Sequence, residues 1–138
     1  EHPARQAAGW QALAQLVSDL KAEDDPVAPG QKLIETTTIL VFSEFGRTSL
    51  LNNRGGRDHS LTTACMMIGA GVPHNQAIGA SKDIGMIPLP IDPITGAVVE
   101  EGGVTLNPST VVASLLQGAG LDTDHLRTDG LPCLMTDR

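Results

Sequence analysis

"TTTILVFSEF", residues 36–45, is the stretch on which the fold turns. From Thr38 to Phe42 every residue is β-branched or apolar. A strand with one wet face alternates apolar and polar side chains. An unbroken apolar run suits a strand covered on both faces, as in a parallel sheet. "TACMMIGAGVP", residues 63–73, has the same character: a short apolar strand, then a turn carrying Gly71 and Pro73. Strand, turn-rich loop and strand again predict an α/β layered fold.

Upstream, "GWQALAQLVSDLKAE" sets Trp10, Leu13, Leu16, Val17 and Leu20 at helical period, with polar residues opposite. That helix is expected to end near Glu23, before the Pro- and Gly-bearing loop "DDPVAPG". Downstream, residues 84–106 are rich in Pro and Gly and predict a loop with a short hairpin around Thr95-Gly96. "NPSTVVASLLQGAGLD" then reads as a helix. Asn107 is its N-cap, Pro108 opens the first turn, and Gly118 or Gly120 ends it. Val111, Val112, Leu115 and Leu116 are its expected buried side. The tail after Gly120 has no strong period. The expectation is a single domain over residues 1–138. Two parallel strands are few for a covered sheet, and the chain opens on Glu1 rather than Met, so it is expected to be the C-terminal portion of a larger domain.

Composition excludes several classes. With 138 residues, 41% of them hydrophobic, the chain can bury a core. Aromatics make up 2%, too few for a base-stacking platform, and the nine Lys and Arg residues are scattered. The net charge of −7 gives no basic stripe, so no nucleic-acid partner is expected. No apolar run approaches the ~20 residues of a membrane span. Two cysteines are too few for a disulfide framework. Cys65 is predicted to be a buried thiol, and its pairing with Cys133 stays open.

Charge gathers in "SEFGRTSLLNNRGGRDHS", residues 43–60. In open α/β sheets, sites form beyond the carboxyl ends of the strands. Glu44 follows the apolar run directly, and Gly55-Gly56 can fold Asp58 and His59 back towards it. Glu44, Asp58 and His59 together are suitable ligands for a divalent cation such as zinc or manganese. Arg47 and Arg57 can clamp an anion, since a guanidinium fork matches phosphate or sulfate oxygens. The plainer alternative is a salt-bridged loop that orders itself. His74, in a loop, and His125, in the tail, are expected at the surface. No G-x-S-x-G elbow and no P-loop mark a nucleophile or a phosphate cradle.

"TILVFSEFGRT", "NNRGGRDH" and "MMIGAGV" together resemble the bacterial family called domain of unknown function fifteen-oh-one (DUF1501), which is placed in the alkaline phosphatase and sulfatase superfamily. S-E-F-G-R-T followed by G-G-x-D-H is the family's most specific signature, and residues 43–48 and 55–59 spell it in full. The resemblance weakens over residues 84–104. It implies a three-layer alkaline-phosphatase-like fold, with a mostly parallel sheet flanked by helices. It also implies a metal-dependent hydrolase of phosphate or sulfate esters, with a small anionic ester as substrate. An exported location, periplasmic or secreted, is implied as well; cytoplasmic is the alternative. In many superfamily enzymes the equivalent strand ends in Asp-His-Gly, where this chain has Glu44-Phe45-Gly46. Glu44 keeps a ligand's chemistry and Phe45 does not. His59, with Asp58 beside it, is similar in placement to a later ligand. The superfamily's nucleophile and further ligands come from a part of the fold that precedes this chain. The alternative function is a non-catalytic binding or assembly protein retaining the fold. A weaker one is an interaction fragment that self-associates through an open sheet edge.

Overall fold

The computed structural model describes residues 2–136, and the side chain of His2 lies outside that description. In chain order the elements are α1 (His2–Ala22), α2 (Leu33–Thr36), β1 (Thr38–Val41), β2 (Gly46–Arg47), β3 (His59–Ser60), β4 (Met66–Gly69) and α3 (Pro108–Gly118). The strands form two sheets of two strands each, β1 with β4 and β2 with β3.

This corrects the expected fold class. Among the described residues there is no three-layer arrangement and no mostly parallel sheet flanked by helices. The apolar run 38–42 does form a strand, but only four residues of it pair. All four are half-buried, and Phe42 just beyond them is exposed. An apolar run shows that a strand is suited to burial. It does not count the neighbours that would cover it.

By their contacts the residues fall into two compact units. The first spans Glu1–Ile39 with Ile68–Ala70. Within it, α1 runs almost as expected, to Ala22. Leu13, Val17 and Leu20, spaced at helical period, are half-buried, whereas Trp10 and Leu16 are 52% and 44% exposed. The predicted apolar face is therefore covered along one row only. The following loop is closed by Asp25, whose Oδ1 accepts from the backbone N–H of Val27 and Ala28 while its Oδ2 accepts from the Thr36 hydroxyl. These donors, Thr36 foremost, hold the Asp25 carboxyl below its ordinary value.

The second unit spans Leu40–Met67 with Gly71–Arg138. Its core is Ile91, wholly buried, with Leu131, Cys133 and Leu134, and Ile78, Leu106 and Val111 packed against them. Ile91 sits where the chain doubles back: it bridges antiparallel to Val98 and to Val104. The expected hairpin is present between these. Asp92 N–H donates to Ala97 O, and Gly96 N–H donates to Asp92 O. The Asp92 side chain closes the turn by accepting from the backbone N–H groups of Ile94 and Thr95 and from the Thr95 hydroxyl.

Helix α3 starts as the sequence predicts, with the Asn107 side chain accepting from Thr110 N–H at 3.1 Å and Pro108 in the first turn. It runs to Gly118. Its buried residues are Thr110, Ala113, Ser114 and Gly118, while Val112 is 45% exposed. Of the expected stripe, Val111, Leu115 and Leu116 are half-buried, with Val111 against the core, while Val112 is exposed and the fully buried row is one of small residues. The reason lies in the tail, which packs closely there. A Cβ on Gly118 would meet the Met135 side chain at 2.8 Å. The Ser114 hydroxyl donates to Thr110 O at 2.7 Å and accepts from Leu131 N–H at 2.9 Å, tying tail to helix. Both cysteines are free. Cys133 is buried in this core, whereas Cys65, expected inside, is exposed.

Candidate functional site

The stretch 43–60 closes on itself through β2 and β3, which pair antiparallel with Gly46 opposite Ser60 and Arg47 opposite His59. The pairing continues outward, with Thr48 N–H donating to Asp58 O at 3.0 Å. Gly46 makes the approach feasible. Its ideal Cβ position falls on the carbonyl oxygen of Thr62, so a side chain has no room.

Beyond the ladder, Asn52 organises the turn. Its Oδ1 accepts from the N–H groups of Arg54 and Gly56, each at 3.0 Å. Its backbone N–H donates to Gly56 O at 2.7 Å. Its Nδ2 donates to Asp58 Oδ1 at 2.7 Å. An Asn ahead of Arg-Gly-Gly is a turn-forming signal, and it could have been found in the sequence.

The proposed ligands stand as follows. Asp58 is exposed and engaged by the Asn52 amide. Glu44 is exposed, and its Oε2 accepts from the Ser43 hydroxyl at 3.2 Å. The His59 ring lies against Phe45, with centroids 3.6 Å apart and planes within 16°. Among the described residues no three His, Cys, Asp or Glu side chains gather as a metal-holding group. As placed, Glu44, Asp58 and His59 do not make up a ligand set.

The two arginines are built into the loop by main-chain carbonyls. Arg47 Nη1 donates to Arg57 O at 3.0 Å. Arg57 Nη1 donates to Thr48 O at 2.9 Å and Ser49 O at 2.5 Å. Arg47 also stands over Phe45, its Cζ 4.9 Å from the ring centroid. Neither guanidinium pairs with a carboxylate of the described residues; the Lys32–Asp24 pair lies elsewhere, in the first unit. The salt-bridged alternative is therefore not how this loop is ordered. Carbonyls, one amide and one ring stack order it.

Phe45 is the residue that sequence reasoning undervalued. Read as a lost ligand, it is instead the surface on which His59 and Arg47 rest. Among the described residues, no helix is long and apolar enough to cross a membrane.

No curated protein and no solved structure matches the chain. The family described as "Protein of unknown function (DUF1501)" matches residues 2–128, a span that contains both sheets, all of α3 and the whole 43–60 loop. The chain belongs to that family.

Proposed function

We propose that this chain is the C-terminal portion of a phosphate- or sulfate-ester hydrolase-like protein of the alkaline phosphatase and sulfatase superfamily, and that its 43–60 loop receives the anionic group of the ester. One observation carries the reading. Arg47 and Arg57 are fixed by backbone carbonyls and neutralised by no described carboxylate. A guanidinium held in place and left without a counter-ion is prepared for phosphate or sulfate oxygens, which it meets with charge-assisted hydrogen bonds. The reading includes a divalent metal, zinc by donor type, whose ligand set is not completed by Glu44, Asp58 and His59 as they stand. An exported location belongs to the same reading and rests on family resemblance alone.

The test is hydrolysis of chromogenic phosphate and sulfate esters by the complete gene product, with its metal content measured at neutral pH. Turnover that needs a divalent metal, and that falls at least tenfold in Arg47→Ala, is the expected result, since one charge-assisted bond is worth about 1.5–3 kcal/mol. A metal-free, inactive gene product overturns it. The second reading, a binding protein without catalysis, is favoured by Phe45 standing where a ligand is expected and stacking on His59. It predicts saturable anion binding with no turnover in the same assay.

A further inference from the structure

Phe45 sits in the bend just before β2, and the Arg47 guanidinium stands over its ring, which puts the two side chains on one side. Arg47 stands opposite His59 on β3. Residues directly opposite in an antiparallel pair also share a face, with Cβ atoms about 4.5–5.5 Å apart. Three side chains therefore occupy one side of a two-stranded ribbon. The Phe45 ring touches both of the others, its centroid 3.6 Å from that of His59 and 4.9 Å from Arg47 Cζ.

We propose that Arg47 and His59, both seated against Phe45, form a two-pronged receptor for the oxyanion of a phosphate or sulfate ester, with Phe45 as the positioning residue. The inference rests on the anionic-ester reading above and changes its second prong from Arg57 to His59. Arg57 Nη1 is shared by two carbonyls of its own loop, and among the described residues it is Arg47, not Arg57, whose guanidinium stands over the Phe45 ring. His59 is exposed, and its ring nitrogens hydrogen-bond no described residue. A stacked imidazole loses its face and keeps its edge, which carries both nitrogens. Arg47 spends one nitrogen on Arg57 O, and the rest of its fork stays available. The carboxylate nearest in sequence, Asp58, is engaged by the Asn52 amide.

The experiment is an NMR titration of the protein with inorganic phosphate and with sulfate, against chloride at matched ionic strength. The Arg47 Nε–H and His59 ring C–H signals are expected to move together and saturate. His59 ring protons should also carry an upfield ring-current shift from Phe45 before any anion is added. Phe45→Leu should remove that shift and weaken binding about threefold, the scale of one exposed cation–π contact. Phe45→Tyr should preserve both. If Phe45→Leu fails to fold, Arg47→Gln and His59→Gln each test one prong, with about tenfold weaker binding expected.

Responses equal in chloride, or confined to Arg54 and Arg57, overturn the proposal. So does unchanged binding in a folded Phe45→Leu variant. Zinc that draws His59 together with Glu44 and Asp58 and abolishes the ring-current shift overturns it too. Failure of the hydrolase reading is separable. Anion binding at Arg47 and His59 without ester turnover by the complete gene product removes that reading and leaves the receptor. Turnover with no response at His59 does the reverse.

Discussion

Gly46 shows how much one residue can decide. A Cβ there would clash with the Thr62 carbonyl oxygen, a backbone atom that cannot swing aside as a side-chain end can. Gly46→Ala must push the β2 strand away from residues 62–63. The ladder that sets Arg47 against His59 would go with it. Overpacking of this kind costs about 1–3 kcal/mol. The variant should unfold at lower urea and lose the upfield ring-current shift of His59. Unchanged stability with the stack retained would show that the strand can shift without cost. The sequence shows that position 46 is a glycine. It did not show that the atom in the way belongs to Thr62, sixteen positions on, because a close approach between distant segments leaves no local signature.

At the scale of elements, the hairpin at residues 91–98 and helix α3 were the most legible, because both announce themselves with local chemistry. Asn107 before Pro108 is an N-cap in sequence and in structure. Thr95-Gly96 marks a turn, and the Asp92 side chain closes it through three donors. Those donors, the Thr95 N–H and hydroxyl first, hold the Asp92 carboxyl below its ordinary value of 3.8. A depressed carboxylate adds stability that is complete above the unfolded value and is lost as pH falls through the folded one. The turn should therefore be fully ordered above pH 3.8 and loosen below it. Asp92→Asn should remove that acid limb. Exchange rates of the Ile94 and Thr95 amides against pH measure both. Protection that stays flat down to pH 2 in the native protein would refute the assignment. The buried face of α3 was legible only in part, through half-buried Val111, Leu115 and Leu116. Periodicity chose its large apolar residues, whereas the tail chose Ala113, Ser114 and Gly118, since only small side chains admit Met135 and Leu131 so closely.

For the whole molecule, the tail is the part that sequence reasoning missed. Residues 121–136 have no period, yet Leu131, Cys133, Leu134 and Met135 are buried. Burial pushes the Cys133 thiol above its ordinary value of 9.0, and the Asp92 charge adds to the rise. The thiolate is the reactive form, so a buried, protonated thiol is inert. Partial burial raises the Cys65 thiol as well, but Cys65 is exposed, so iodoacetamide at neutral pH should label it well ahead of Cys133, which reacts only as the second unit unfolds in denaturant. Equal labelling of both in native buffer would contradict the packing of the tail. The same core contains Ile91 from the hairpin, so alkylation of Cys133 reports on the assembly of segments more than thirty residues apart.

What the sequence determined by itself was local: where α1 ends, where α3 begins and ends, where the chain turns, which run forms β1, and the family signature over residues 43–59. Each of these depends on neighbours in the chain, and a cap, a turn or an apolar run carries its own physical cause. The tertiary structure alone decided how many strands pair and which face of α3 is buried. It also decided that an aperiodic tail builds the core, and that the Phe45 ring carries both the His59 stack and the Arg47 guanidinium. Those outcomes depend on which distant groups meet. Burial, stacking and close approach are properties of pairs of segments, and no single segment states them.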